Sequence, residues 1–339
     1  MSKDAPIFLT GASGFLAKHI LLTLLAEGHA VRASLRSPAR ADEVRAAVLP
    51  HLPADAAERL TFVTLDLTRD DGWQGAMKGC AALVHTASPF PIKQPKNPED
   101  LIRPAVDGTE RALRAAASAG IDRVIVTSSS AAIFDSNRPA GYVFTEEDWA
   151  DANGAPENHY SNSKVMAERA AWKLARSEGL RLTTINPTLI LGPSLDTHFG
   201  SSIGLVRRLM KGRDPMLPRI GFSMVDVRDV ALAHVRALGR DETAGERLIT
   251  SAGSMWLTDW GRVLKDAYPK RRIPTLTAPK FVLRLLALVD AEARAALPGI
   301  GRREDVSAEK ARRMLSLDFI PAADALRASA ASLVEMGLV

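Results

Sequence analysis

The chain has 339 residues, 44 Lys+Arg against 39 Asp+Glu for a net charge of +5, and a hydrophobic content of 46%. That length suits about two lobes and a core large enough to need no disulfide, and the single Cys80 excludes both an internal disulfide and a cysteine-rich zinc site. Aromatic residues are only 5% and the basic residues form no long tract, so a nucleic-acid partner is not expected, whereas one small phosphorylated ligand is.

In chain order, Ile7–Thr10 reads as a buried strand, and residues 13–27 as a helix with Phe15, Leu16, Ile20, Leu24 and Leu25 on its apolar face. Further strands are expected at 30–35, 59–66, 81–85, 123–128 and 180–186, with helices between them that include 101–119 and 162–177. Such alternation implies βαβ units and a parallel sheet covered on both faces. After Pro187 it stops. Residues 190–222 are rich in Gly, Pro and Met with no strand period, 225–238 read as a helix, 247–250 as another strand, and 256–339 as mostly helical with proline breaks. The expected architecture is an α/β, Rossmann-type doubly wound parallel sheet with a smaller, mainly helical C-terminal lobe. The cofactor domain would take residues 1–186 plus about 223–252, and the substrate-binding lobe 187–222 and 253–339. Residues 281–289 are apolar but too short for a membrane span and carry Arg284. Lys18, His19 and Glu27 interrupt what could be misread as a signal peptide, so the expected location is the cytoplasm, with no membrane partner.

The segment Thr10-Gly11-Ala12-Ser13-Gly14-Phe15-Leu16-Ala17 lies between the first strand and the first helix, with spacing G-x-x-G-x-x-A. Small residues there make a tight turn, let the backbone approach a pyrophosphate and let the helix pack on its strand. The helix N-terminus offers amides and a dipole to the phosphates. Thr10, Gly11, Ser13, Gly14, Phe15 and Leu16 are therefore candidate dinucleotide contacts. After the second strand an NAD site normally presents Asp or Glu to the ribose 2′-hydroxyl. Here Arg36 and Arg40 stand there, with no acid until Asp42. A guanidinium can bond a 2′-phosphate bidentately, so the expected cofactor is NADP(H). Asp66, ending the third strand with Leu67 beside it, either contacts the adenine or caps the turn that follows.

Tyr160 and Lys164 are four residues apart, which puts phenol and ammonium on one face of a helix. A free phenol, with a pKa of about 10, is a poor acid at neutral pH unless a nearby cation stabilises its anion. Upstream, the apolar run Val124-Ile125-Val126-Thr127 ends in Ser128-Ser129-Ser130. The carboxyl ends of parallel strands are where such folds bind ligands, and a serine there can hydrogen-bond the substrate oxygen that Tyr160 protonates.

Together these residues resemble the extended short-chain dehydrogenase/reductases, in the branch that holds dihydroflavonol reductases, cinnamoyl-CoA reductases and aldehyde/ketone reductases. The resemblance is carried by 10–17, Arg36, 84–90, 127–129, 160–164, 186–188 and 225–231, in the family's order. It implies an NADPH-dependent carbonyl reductase acting on a small-molecule aldehyde or ketone, as a monomer or homodimer. It also implies a Ser-Tyr-Lys site of Ser129, Tyr160 and Lys164, with Ser128 and Ser130 as the other serines that could serve. Tyr160 would protonate the carbonyl oxygen, and Lys164 would hold the ribose hydroxyls. Pro187, with the backbone at Thr188 and Leu189, would face the nicotinamide amide. His85, Thr86 and Ala87 would line the cofactor channel. No metal is implied.

Departures narrow the substrate. Cinnamoyl-CoA reductases carry Asn-Trp-Tyr-Cys-Tyr where this chain has Asn158-His159-Tyr160-Ser161-Asn162. Dihydroflavonol reductases place an Asn where Phe134 stands here. Phe90, Pro91 and Phe134 are left as candidate apolar lining. Three rival readings remain. A nucleotide-sugar epimerase or dehydratase shares the fold, Tyr and Lys but normally holds NAD through an acid after the second strand. A non-catalytic NADP-binding sensor typically loses the Tyr or the Lys. Gly200-Ser201-Ser202-Ile203-Gly204 matches a hydrolase nucleophile elbow, with His198 nearby, but lacks the buried strand that such an elbow follows.

Overall fold

The computed structural model describes residues 5–88, 97–151, 159–288 and 297–339. Seven strands form one sheet: β1 (Ile7–Thr10), β2 (Val31–Leu35), β3 (Leu60–Thr64), β4 (Ala82–His85), β5 (Arg123–Thr127), β7 (Arg181–Pro187) and β10 (Arg247–Thr250). Outside it lie β6 (Val143–Phe144), β8 (Leu189–Leu191), β9 (Gly221–Asp226), β11 (Ser254–Trp256) and β12 (Asp305–Val306). The sheet order is β3-β2-β1-β4-β5-β7-β10, and every pairing in it is parallel. From β1 the chain runs outward to β3, then returns to β4 and runs out the other way. The reversal leaves a crevice at the carboxyl ends of β1 and β4, the place where open α/β sheets take ligands.

Side chains alternate between two buried faces, as a doubly covered sheet requires. Ile7, Leu9, Val84 and Ile125 join one core, whereas Phe8, Leu83, Val124 and Val126 join the other. The first face is covered by α1 (Phe15–Ala26) and by α7 (Val227–Leu238), which follows α2 (Ala41–Val48), α3 (Trp73–Met77), α4 (Glu99–Ser118), α5 (His159–Glu178) and α6 (Ser201–Lys211) in the chain. Helices α4 and α5 cover the second face. Ala112, Ala116, Ala171 and Ala175 are among their buried residues there, and their small side chains let the helices approach the sheet closely.

The second lobe departs from expectation. Residues 190–222 are not irregular throughout: most of β8, all of α6 and the start of β9 form there, β8 pairing parallel to β9 and β11 antiparallel to it. β8 has only three residues, too few to show a period, and both strands are defined by their pairing partner. Val225 and Asp226, expected in a helix, end β9 instead, and the Asp226 carboxylate caps α7 by accepting from the Arg228 amide at 2.9 Å. The lobe is completed by α8 (Leu257–Ala267), α9 (Lys280–Leu286) and, after α10 (Glu309–Leu315), by α11 (Ala322–Glu335); α10 itself, expected in this lobe, instead packs Ala311 and Leu315 into the core on the first face of the main sheet. The core of the lobe holds Ile203, Leu209, Met224, Trp260, Leu326 and Leu333. No helix among the described residues is long and apolar enough to cross a membrane.

Candidate active site

The turn after β1 is shaped by Gly11. Its φ is +73°, and an added Cβ would lie 3.0 Å from both Cα and Cβ of Ala87, so neither the conformation nor the space admits a side chain. Gly14 precedes α1, whose N-terminus has no side-chain cap, so its first amides remain available to an anion. Ser13, Gly14 and Phe15 are solvent-accessible to differing degrees, while Leu16 is buried against the core.

Thr10 knits this turn to the end of β4. Its Oγ1 accepts from the amides of Thr86 (3.0 Å) and Ala87 (3.1 Å) and pairs with His85 Nδ1 at 2.9 Å. With two amides donating to the oxygen, the Thr10 hydroxyl hydrogen goes to Nδ1, and the imidazole carries its own hydrogen on Nε2. Burial, reinforced by the Lys164 cation, lowers the His85 pKa to about 3, so the ring is neutral. His85 Nε2 is buried and has no hydrogen-bond partner among the described residues.

The two arginines after β2 differ. Arg36 is exposed, within electrostatic reach of Asp66, and makes no hydrogen bond or ion pair among the described residues. Arg40 donates through Nε to Glu43 at 2.9 Å. Asp66 does cap a turn: Oδ1 accepts from the Thr68 amide and hydroxyl, both at 2.8 Å, and these bonds hold its pKa below the usual carboxylate value, with a smaller contribution from Arg36. Leu67 packs over Gly108 of α4, where an added Cβ would meet it at 3.2 Å.

The three serines after β5 have different surroundings. Ser128 is buried and donates to Glu168 Oε2 at 2.5 Å. Ser130 is buried. Ser129 is half-buried, and its Oγ accepts from the Ala131 amide at 3.1 Å while donating to no described residue, so its hydroxyl hydrogen is available to a ligand. Tyr160 lies half-buried in the first turn of α5, with the Lys164 Nζ 5.8 Å from the centroid of its ring. Lys164 is 9% exposed, and its influence on His85 ties it electrostatically to the β1–β4 crevice.

Elsewhere the expected contacts are engaged by the protein itself. The amide and hydroxyl of Thr188 both donate to Thr250 O, each at 3.1 Å, while Leu189 begins β8 beside Met224. Phe134 packs edge-on against Phe144, ring centroids 5.3 Å apart, in a cluster with Ile133 and Ile249. Phe90 and Pro91 lie outside the described residues. The elbow-like Ser201 and Ser202 open α6, where Ser202 Oγ donates to Ile190 O at 2.5 Å, so no strand leads into them.

Two groups of polar residues escaped the sequence reading. Lys18 on α1 is 1% exposed and reaches Asp196 and the carbonyl of His198, and neighbouring His19 bonds Pro193 O at 2.9 Å; together they tie the cofactor-side helix to the second lobe. Burial lowers the Lys18 pKa against the pull of Asp196. The other is the buried Glu168–Arg247 pair behind Ser128. Glu168 repeats the four-residue spacing of Tyr160 and Lys164, and a charge on a stripe shared with buried Val165 and Ala171 was its only signal in the sequence.

The glycine turn with its uncapped helix start and the exposed Arg36 guanidinium fit the phosphates of a dinucleotide. Comparisons with known proteins agree with that chemistry. The model of the NAD dependent epimerase/dehydratase family matches residues 7–250. The chain is 35% identical over 272 residues to cinnamoyl-CoA reductase 1 of Petunia hybrida, covering 79% of each protein. It is 33% identical over 290 residues to the NADPH-dependent methylglyoxal reductase of Saccharomyces cerevisiae, covering 79% of this chain and 84% of that one. The crystal structure of the yeast methylglyoxal/isovaleraldehyde reductase Gre2 complexed with NADPH superposes with a TM-score of 0.81 at 28% identity, over 98% of this chain and all of that one.

Proposed function

The chain belongs to the NAD dependent epimerase/dehydratase family, among the extended short-chain dehydrogenase/reductases, and from that premise we propose that it is an NADPH-dependent carbonyl reductase converting an aldehyde or ketone to an alcohol. The single observation that supports the reading is the Lys164 ammonium 5.8 Å from the Tyr160 ring at the start of α5, which Ser161 Oγ ties to Ala131 O at 2.6 Å, two residues past Ser129 at the carboxyl end of β5.

When bound, NADPH would supply a hydride from C4 of its nicotinamide. The chain's own residues do the rest. Gly11 and the uncapped start of α1 receive the pyrophosphate, and Arg36, with no other partner among the described residues, takes the 2′-phosphate; Arg40 supports it from beside Glu43. Asp66 and Leu67 border the adenine, His85, Thr86 and Ala87 the channel, and Pro187, Thr188 and Leu189 the nicotinamide side. Lys164 holds the ribose hydroxyls and keeps its ammonium against the Tyr160 ring. Tyr160 Oη passes its proton to the carbonyl oxygen, and Ser129 Oγ donates its free hydrogen to that same oxygen. Residues 187–222 and 253–288 would shape the substrate space, with Phe134 at its edge. The sequence around Tyr160 departs from the cinnamoyl-CoA reductase pattern, which favours a free aldehyde or ketone over a CoA thioester.

The test is NADPH oxidation followed by absorbance, beside NADH, against aldehydes, ketones and 2-oxo esters. Turnover with NADPH and at least one of these classes is expected. Silence across the whole set would turn the assignment toward an epimerase or a sensor of the same fold.

Arg36→Asp replaces the exposed cation with a carboxylate that repels a 2′-phosphate and can accept from a 2′-hydroxyl. A hydrogen bond to a charged group is worth about 1.5–3 kcal/mol, so the NADPH-to-NADH ratio of kcat/KM should fall about 10–100-fold. An unchanged ratio would remove Arg36 from the phosphate site.

A further inference from the structure

We propose that Glu168 is a positioning residue, a buried carboxylate that holds Ser129 in register with Tyr160 and Lys164 through Ser128, Asn186 and Arg247. The proposal rests on the carbonyl-reductase reading above and adds to it a residue with no assigned role.

Glu168 is 2% exposed and lies one helical turn beyond Lys164 and two beyond Tyr160. Its oxygens receive only donors. Oε1 accepts from Arg247 Nε (2.7 Å), Thr184 Oγ1 (3.1 Å) and Trp172 Nε1 (3.3 Å). Oε2 accepts from Ser128 Oγ (2.5 Å), Asn186 Nδ2 (2.8 Å) and Arg247 Nη2 (3.5 Å). Those donors come from α5 itself, from the residue just after β5, from the middle and end of β7 and from the first residue of β10, so one side chain joins the helix bearing Tyr160 to three adjacent strands of the sheet.

Ser129 sits inside this knot. The residue before it is bonded to Glu168, and its own carbonyl accepts from Asn186 Nδ2 at 3.3 Å. Beyond it, the Ala132 carbonyl accepts from the Ala150 amide, in a loop whose Glu146 and Asp148 carbonyls accept from Arg247 Nη1 at 2.6 and 2.7 Å. The guanidinium is also stacked 3.8 Å from the centroid of the Trp149 ring. The backbone of Ser129 is therefore braced on both sides by groups that converge on Glu168. Ser129 and Tyr160 come from separate elements and must meet at one substrate oxygen. A displacement of about 1 Å between such groups costs on the order of 100-fold in rate.

Glu168→Gln preserves volume but places an NH2 against these donors, and Ser128→Ala cuts one tether while leaving the ion pair intact. In single-turnover and steady-state assays with NADPH, Glu168→Gln should lower kcat about 10–100-fold. Ser128→Ala should lower it about fivefold. NADPH Kd, read by fluorescence titration, should stay within about threefold of the unmodified protein in both, and circular dichroism should show folded protein at the assay temperature. Retention of kcat within twofold in the folded variants, with only Tm lowered, would make Glu168 a stability element and overturn the proposal. If Glu168→Gln does not fold, Ser128→Ala decides by the same criterion. Absence of carbonyl reduction by the unmodified protein overturns the reductase reading and this proposal with it.

Discussion

Tyr160→Phe should lower kcat by about 10²–10⁴-fold, the range that a positioned general acid contributes, while the Kd for NADPH stays within about threefold. Phenylalanine keeps the ring, its volume and its place in the first turn of α5, so the packing around Lys164 is preserved. Only the hydroxyl that delivers the proton is lost. Ser129 remains to polarise the carbonyl, but a serine hydroxyl does not give up its proton at neutral pH, so it cannot substitute. The two quantities are separable by experiment: single-turnover absorbance gives the chemical step, and fluorescence titration gives cofactor binding. A parallel collapse of NADPH binding would show that the hydroxyl serves the cofactor site instead of the proton transfer.

The second large effect concerns stability. Gly261→Ala, inside α8, should destabilise the protein although alanine is the better helix former. On an open helix the exchange gains about 1 kcal/mol. Here the added Cβ would come 2.1 Å from Pro274 O and 3.3 Å from Leu217 Cδ1, so the chain crossing the helix must shift. Two residues earlier that crossing also lies against Gly212, where an added Cβ would fall 1.7 Å from Arg272 O at a φ of +59°. The segment is thus confined by two glycines and has nowhere to move. Overpacking of this kind typically costs about 1–3 kcal/mol, which would lower Tm by several degrees. Gly75→Ala in α3 is the control, since an added Cβ there meets nothing within 4 Å. It should leave Tm unchanged or raise it. Equal Tm values for the two variants would refute the clash at Gly261.

These residues separate what a linear reading can find from what it cannot. All seven strands of the main sheet were legible, to within a residue or two, because each is a short apolar run bounded by turns and its register follows from the alternation of Ile7, Phe8 and Leu9 between the two faces. β8 and β9 were not, because three- and six-residue strands in a Gly- and Met-rich stretch owe their form to a partner distant in the sequence. That Arg36 and Arg40 follow β2, where an NAD site would present an acid, was legible by position alone. That Arg40 is already engaged by Glu43, while Arg36 makes no hydrogen bond or ion pair among the described residues, is a matter of side-chain placement.

By itself, the sequence determined the doubly wound fold, the glycine turn and the Tyr160–Lys164 face, all of which rest on local periods: two for a strand, about 3.6 for a helix, fixed spacings for a turn. Only the tertiary structure decided that Ser128 is tied to a carboxylate while Ser129 donates to no described residue, why Gly261 cannot be alanine, and which donors surround Glu168. Each of these depends on which group fills the space or takes the hydrogen bond from across the fold. Ser128 is engaged by a carboxylate forty residues away and Gly261 is pressed by a carbonyl thirteen residues away. Burial makes such pairings obligatory, since a polar group withdrawn from water must find a partner, and no local pattern of residue types names that partner.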